Sequence, residues 1–207
     1  MNRIEAIYTF IDSKDKVVDV GCDQAKLSIM LAKKGYSSIG SDISEKVISK
    51  AQNKIDKLKL NKYIDLRVSN GLEKIRKDEV DTLVLAGMGT FTILDILNNS
   101  MMRFDKIITI SNNNHDILRE KMNKLNYKVD SELIVYENNK YYNLIMFTPG
   151  NRIYNEYEVL LGLNHKDKES YEKYLSYLLK KYENIQKKSQ NKNNKINRII
   201  NLIKSRV

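Results

Sequence analysis

The sequence predicts an α/β fold, a Rossmann-like, mostly parallel sheet of seven strands, followed by a basic helical hairpin. Three observations support this prediction. Short β-branched runs alternate with helix-compatible segments, as in βαβ units. The first four runs each end in a Gly- or Asp-containing turn, at the strand ends where open α/β sheets bind their ligands. The only proline, Pro149, stands beside Gly150 and marks a break, after which the pattern becomes helical.

The first predicted strand ends in a turn whose single glycine, Gly21, stands between Asp19 and Asp23. A dinucleotide fingerprint needs three glycines so that backbone can approach a pyrophosphate, and here Cys22 and later residues replace the other two. Two carboxylates repel a pyrophosphate but suit a ligand that carries an ammonium group and a sulfonium. The turn, followed by a predicted helix from Gln24 to Lys34, therefore indicates S-adenosylmethionine as the cofactor.

The next three predicted strands end in turns of the same kind. Asp42 ends the second strand about 20 residues after the glycine turn, where a carboxylate binds ribose hydroxyls. Asn70 follows the third strand and offers a side-chain amide to an adenine edge. The fourth and most apolar run leads into Gly87, where backbone can lie close to a ligand. The candidate cofactor-binding residues are Asp19, Gly21, Cys22, Asp23, Asp42, Ile43, Asn70, Gly71, Ala86, Gly87 and Met88.

Composition excludes several classes of protein. The 207 residues leave room for one α/β domain and an appendage. A single cysteine excludes an internal disulfide, and two histidines without ligand spacing predict no metal site. Residues Met1 to Ile11 suit an amphipathic helix that packs on the sheet better than a signal peptide. No apolar run approaches the ~20 residues needed to span a bilayer, so we expect a cytoplasmic protein.

The last two strands before Pro149 are predicted to close the sheet. Lys106 to Ile110 is a buried strand candidate, and a helix from Asp116 to Leu125 follows it. Tyr127 to Val135 and Tyr141 to Thr148 flank a short polar turn, so we expect an antiparallel pair at the sheet edge.

The net charge of +10 is uneven along the chain. Residues 151–207 hold 13 Lys and Arg against 6 Asp and Glu. Two apolar stripes recur there at helical spacing, with the turn between them at Gln190 to Asn194. One interpretation is a solvated bundle or an oligomerisation arm, and the other is a positive platform for phosphates. The first stripe comprises Tyr154, Tyr157, Leu161, Tyr171, Tyr174, Leu175, Leu178 and Tyr182, and the second comprises Ile196, Ile199, Ile200 and Ile203.

Four short motifs resemble those of the bacterial tRNA (adenine-22-N1)-methyltransferase family. They are D-V-G-C-D-Q from Asp19, N-G-L from Asn70, A-G-M-G from Ala86 and I-S-N ending at Asn112. The resemblance covers nearly the whole chain, including the C-terminal hairpin. Three positions depart from the family pattern. Gln24 replaces a histidine, Thr90 replaces a second glycine after A-G-M-G, and Asp42 stands where glutamate is usual.

The resemblance implies a class I methyltransferase fold with a C-terminal coiled-coil hairpin. It implies that residues 1–150 bind S-adenosylmethionine, that residues 151–207 bind tRNA, and that N1 of adenine 22 receives the methyl group. Asp23 and Asn112 are the catalytic candidates, for orienting the base or stabilising its developing charge. The alternatives are that Asp23 only caps the following helix and that Asn112 only shapes its loop. We expect a monomer or weak oligomer with no obligate protein partner and no membrane contact.

Two other functions fit the same residues. A methyltransferase of this fold can act on a different RNA, on a protein or on a small molecule. The basic hairpin argues against a small molecule but does not exclude an acidic protein. A cofactor-binding fold can also serve as a non-catalytic RNA-binding module. Retention of the turn aspartates, Asp42 and the A-G-M-G motif argues against an inactive site.

Overall fold

The computed structural model describes residues 1–188 and 194–205 and contains a seven-stranded sheet with helices on both faces. The strands are β1 (Val17–Val20), β2 (Ser38–Asp42), β3 (Ile64–Val68), β4 (Thr82–Met88), β5 (Lys106–Ser111), β6 (Tyr127–Glu137) and β7 (Lys140–Pro149). The helices are α1 (Arg3–Tyr8), α2 (Lys26–Lys33), α3 (Glu45–Leu58), α4 (Thr90–Asn98), α5 (His115–Lys124), α6 (Glu156–Leu161), α7 (Lys168–Lys188) and α8 (Asn194–Lys204).

The strand order is β3-β2-β1-β4-β5-β7-β6. Strands β1 to β5 pair in parallel, and β7 pairs antiparallel with both β5 and β6. The predicted class I layout, with a terminal antiparallel pair at the edge, is therefore confirmed. The turn of that pair has Asn138 and Asn139 at φ of 50° and 60°, as a tight hairpin turn requires. Because β6 runs parallel to β5, this turn lies at the same sheet edge as the carboxyl ends of β1 to β5.

The central strands are buried on both faces, which explains their continuous apolar runs. Along β4, Leu83 and Leu85 pack with α4 and α5 on one face, while Val84 packs with α1 on the other. Helix α1 buries Ala6 and Ile7 against that second face, which confirms the predicted amphipathic helix.

Helix α2 begins at Lys26, two residues later than the predicted Gln24. The prediction of its start was wrong because Asp23 and Ala25 adopt left-handed conformations, with φ of 47° and 52°. The Ala25 N–H donates to the Cys22 carbonyl at 2.8 Å, so a tight turn precedes the helix.

The C-terminal helices pack on the sheet and on one another. Helix α6 contacts α5, and α7 contacts β6. Helices α7 and α8 are antiparallel, since Glu183 pairs with Lys204 and Gln186 bonds to Asn197. The predicted stripes meet in one cluster that includes Leu161, Leu175, Leu178, Ile199 and Ile203. The predicted turn runs from Gln190 to Asn194. Residues 190–193 lie outside the described residues, and α8 begins at Asn194.

A buried ion pair joins these helices to the sheet. Arg119 on α5 donates from Nε and Nη2 to the two carboxylate oxygens of Glu132 on β6, at 2.8 and 2.7 Å, and both side chains are at most 1% exposed. Glu132 also accepts the Leu163 N–H, and Arg119 donates to the Val159 carbonyl. Leu163 and Val159, which follow the Pro149–Gly150 break, thus supply hydrogen bonds to a charge pair that is buried in the α/β domain.

None of the helices in the described part of the chain combines the length and the apolarity that crossing a membrane requires.

Candidate cofactor and substrate site

The turn after β1 is closed by the neighbouring strand. Gly21 has a φ of 75°, and its N–H and that of Cys22 both donate to the Ser41 carbonyl, at 2.7 and 2.9 Å. These two amides are therefore occupied, and they do not form the phosphate-binding nest of a dinucleotide turn. The Cys22 side chain is buried over Gly40, where a Cβ would come within 3.2 Å of its sulfur.

Asp19 lies at the floor of the site, just before this turn. Its side chain is buried in β1, and burial, followed by the nearby charge of Asp42, raises the pKa of its carboxyl to about 7. A buried carboxyl that resists ionisation is stabilised by a cation placed against it. The chemistry of this position fits the ammonium group that the sequence predicts.

Asp23 is exposed and does not cap α2. The N-cap position belongs to Ala25, and no side chain accepts a hydrogen bond there. The capping interpretation of Asp23 is therefore wrong. The carboxylate instead lines a cleft at the sheet edge, beside Gln24 and Lys26.

The turn after β4 meets the turn after β1. Gly87 has a φ of 81°, and a Cβ there would point into open space. The Met88 side chain covers Gly21, since a Cβ on that glycine would overlap Met88 Cε. Asn112 fixes this turn to the end of β5, because its Nδ2 donates to the Gly87 carbonyl and its N–H to the Met88 carbonyl, both at 2.9 Å. Asn112 thus shapes the loop and also stands exposed at the site.

The ends of β2 and β3 carry four more predicted residues, none of which lines the cavity that contains Asp19. Asp42 accepts the Ser44 N–H at 2.9 Å, and its carbonyl accepts the Ser69 N–H, which joins the two strand ends. Ile43 stands at the rim with 71% of its surface exposed. Asn70 and Gly71 line a separate cavity of about 450 Å³ beside α4. The structure thus separates these two from the Asp19 turn.

One cleft of about 330 Å³ gathers six of the predicted residues: Asp19, Gly21, Cys22, Asp23, Ala86 and Gly87. We call it the aspartate cleft. Its far wall is formed by Arg3, Ile4 and Ile7 of α1 and by Glu137 of β6. None of these four residues was predicted as part of the site. Arg3 forms an ion pair with Glu137 and lies 4.3 Å over the Tyr142 ring. Only the amphipathic pattern of α1 hinted at this wall, and no local motif marks Glu137.

A larger cavity, of about 480 Å³, lies at the opposite edge of the sheet and is lined by residues such as Lys16, Tyr36 and Tyr63. It holds none of the predicted site residues. It lies at the amino ends of the strands, where open α/β sheets do not place their ligands.

Residues 1–145 match the model of a family described as methyltransferase domain. The chain belongs to this family. Among curated proteins, it is 28% identical over 155 residues to the tRNA (adenine(22)-N(1))-methyltransferase of Bacillus subtilis (strain 168). The match covers 72% of this chain and 65% of that relative's length.

Solved structures share the fold along almost the whole chain. The M. capricolum TrmK structure in complex with S-adenosyl-homocysteine is 28% identical, with a TM-score of 0.85, and the match covers 100% of this chain and 96% of that one. A Streptococcus pneumoniae structure with S-adenosyl-L-methionine is 24% identical, with a TM-score of 0.86 and coverage of 98% and 97%. B. subtilis TrmK is 22% identical, with a TM-score of 0.75 and coverage of 99% and 94%. The latter two support the fold alone. The predicted family resemblance is supported by the two matches at 28% identity, to the B. subtilis methyltransferase and to M. capricolum TrmK.

Proposed function

We propose that this protein is an S-adenosylmethionine-dependent methyltransferase that methylates N1 of adenine 22 in bacterial tRNA. The observation that carries the proposal is the aspartate cleft, where the buried Asp19 and the exposed Asp23 flank a turn whose amides are already bonded. The likeness to M. capricolum TrmK, whose structure holds S-adenosyl-homocysteine, supports the same cofactor.

We assign the cofactor contacts as follows. Asp19 meets the ammonium group, because its raised pKa marks a carboxyl that gains from a cation. Asp42, at the end of β2, binds the ribose hydroxyls. Ile43, Asn70 and Gly71 border the adenine, whereas Gly21, Cys22, Ala86, Gly87 and Met88 form the backbone and apolar surface around the methionine end.

The bound cofactor supplies an electrophilic methyl group on a sulfonium; adenine N1 attacks it, the sulfur keeps the electron pair of the broken bond, and the adenine gains the positive charge. Adenine N1 carries no proton, so the protein needs no strong base for this step. Its task is to align the two reactants and exclude water, which is catalysis by proximity. Asp23 stabilises the developing charge, and Asn112 hydrogen-bonds the base edge.

A paired adenine cannot present N1, so the nucleotide must be open or extruded from its stack. We propose that residues 1–150 handle this nucleotide and that the basic helices of residues 151–207 hold the folded tRNA through phosphate contacts. Such contacts release counterions, and affinity should therefore fall steeply as salt rises. A tRNA substrate also implies that the protein works in the cytoplasm. We further propose that it acts as a monomer or weak oligomer without an obligate protein partner.

The test is transfer to a tRNA transcript by purified protein and methyl-labelled cofactor, followed by nucleoside analysis. We expect label only in 1-methyladenosine, and none in a matched transcript with guanine at position 22. Label in another nucleoside or in protein would replace the proposed substrate. Binding of the cofactor without transfer to any RNA would favour a non-catalytic module.

A further inference from the structure

An exposed cluster of tyrosines lies on the β6–β7 hairpin, on the face of the sheet that packs against α7, and has no role in the proposed cofactor site. Tyr136 of β6 and Tyr141 of β7 are cross-strand partners with ring centroids 4.7 Å apart. Tyr177 of α7 lies 4.9 Å from Tyr141. Tyr136 is 57% exposed and Tyr177 is 44% exposed, although burial of either ring would be favourable. We call these three residues the tyrosine patch.

The patch and the aspartate cleft lie on opposite faces of the β6–β7 hairpin, near its turn. Tyr136 directly precedes Glu137, so their side chains point to opposite faces of β6, with Glu137 towards the aspartate cleft and Tyr136 towards α7. Helix α7 passes Asn143 of β7, which donates to the Tyr174 hydroxyl, and then Tyr141. The helix therefore runs towards the β6–β7 turn, at the edge where the cofactor turns lie. A molecule bound in the cleft can extend over this turn onto the patch.

Exposed cations surround the rings. Lys140 is the first residue of β7, directly after the turn, and Lys180 and Lys181 follow Tyr177 on α7, with Lys181 Nζ 6.0 Å from the Tyr177 ring centroid. A groove of about 540 Å³ beside Tyr141 and Tyr177 also contains Lys173, whose charge is paired with Glu169. Glu172 lines the same groove. Within residues 1–188 and 194–205, Lys140, Lys180 and Lys181 form no salt bridge, so the uncompensated positive charge near the patch lies with these three lysines.

Aromatic faces rimmed by lysines suit an unpaired nucleotide, because the base stacks on a ring and its phosphate meets a cation. A helical RNA segment cannot use such rings, since its bases are stacked on each other and its major groove is closed to side chains. Extrusion of the target adenine leaves its neighbours without a stacking partner.

We propose that the tyrosine patch is a stacking site for an unpaired base of the RNA substrate, next to the nucleotide that enters the cleft. This inference rests on the proposed function, because it takes the folded tRNA as the occupant. It goes beyond that function by giving the β6–β7 turn and α7 a part in recognising bases as well as phosphates.

The test compares two double variants, Tyr136→Leu/Tyr177→Leu and Tyr136→Phe/Tyr177→Phe. Leucine keeps apolar surface but has no π-face, whereas phenylalanine keeps the ring. We expect the leucine pair to weaken binding of the tRNA transcript by about tenfold in fluorescence anisotropy. The phenylalanine pair should bind as the parent does, and calorimetric affinity for S-adenosyl-homocysteine and the melting temperature should be unchanged in both.

Two controls sharpen the comparison. A fully paired RNA hairpin should bind the leucine pair and the parent equally, since it offers no free base. Tyr36→Leu is the matched protein control, because Tyr36 stacks on Tyr8 and lines the cavity at the opposite edge of the sheet. That variant should bind tRNA as the parent does.

Equal tRNA affinity of the leucine and phenylalanine pairs would overturn the proposal. So would a loss of affinity of the leucine pair for the paired RNA hairpin as large as its loss for the tRNA transcript. Concentration-dependent sedimentation of the parent that the leucine pair abolishes would show that the patch binds a second copy of the chain. The proposed function is tested separately, by methyl transfer with the parent protein. A failure of the proposed function is therefore distinguishable from a failure of the stacking proposal.

Discussion

The buried carboxyl of Asp19 should make the stability of the cofactor-free protein fall as pH rises. In an unfolded chain this group has a pKa near 3.8, whereas burial and the charge of Asp42 raise the pKa to about 7 in the fold. Between these values the folded state keeps a proton that the unfolded state loses. The stabilising contribution is therefore complete below pH 3.8 and is lost as pH rises through about 7.

The difference between the two pKa values corresponds to at most about 4 kcal/mol of unfolding free energy, of which about 3 kcal/mol falls between pH 5 and pH 8. Asp19→Asn removes the titrating group at nearly constant side-chain size. Urea unfolding of both proteins without cofactor, followed by circular dichroism at several pH values, gives the comparison. Relative to the variant, the parent should lose about 3 kcal/mol over that range.

Asp42→Asn tests the effect of the Asp42 charge on the pKa of Asp19. Because the Asp42 charge contributes to the raised pKa of Asp19, its removal should move the pH at which stability is lost to lower values. Parent and Asp19→Asn stabilities that run parallel from pH 5 to pH 8 would refute the reasoning. Such a result would mean that Asp19 is ionised in the free protein and needs no cation from the cofactor.

Three further predictions concern residues of the site and its support. Asp23→Asn should lower turnover or cofactor affinity with an unchanged melting temperature, because this side chain caps no helix; full activity would leave Asp23 without a role in the reaction. Gly87→Leu should remain folded but lose methyl transfer, since the added side chain enters open space at the cleft from a backbone with φ of 81°; transfer at the parent's rate would place the turn away from the reacting atoms. Glu132→Ala should cost about 3–5 kcal/mol in chemical unfolding, because it leaves the charge of Arg119 buried and unpaired; a loss below about 1 kcal/mol, the range of an exposed pair, would mean that water reaches Arg119.

The sheet could be predicted from local patterns because each strand carries its own signal. The β-branched runs at Val17, Ile64 and Lys106 needed no tertiary information, and the polar turn before Tyr141 defined the terminal pair. Asp19, Gly21, Asp23 and Gly87 were predictable as a group for the same reason. Parallel strands bring their carboxyl ends to one edge, so turns that are distant in sequence must converge there.

What could not be predicted depends on contacts between distant segments. The predicted start of α2 was wrong because Asp23 and Ala25 adopt left-handed conformations, in a turn where the Ala25 N–H donates to the Cys22 carbonyl. Arg3 and Glu137 carry no motif, and only the packing of α1 against β6 and β7 brings them to the cleft. The ion pair of Arg119 and Glu132 likewise joins segments whose sequences contain no sign of each other.

The wall of the aspartate cleft has a consequence for the order in which the protein forms. The Arg3–Glu137 pair closes a loop of 134 residues, for which the entropic cost is about 4 kcal/mol before any contact repays it. During synthesis, α1 emerges first and can pack on α2 and β4 as they follow, but Arg3 meets Glu137 only after the β6–β7 hairpin has left the ribosome. The cofactor turns after β1 to β4 can fold earlier, so the nascent chain passes through a stage in which these turns exist but the cleft lacks one side. The proposed methyl transfer requires that water be excluded from that cleft, so we expect it to begin only when the first and the last parts of the sheet have met.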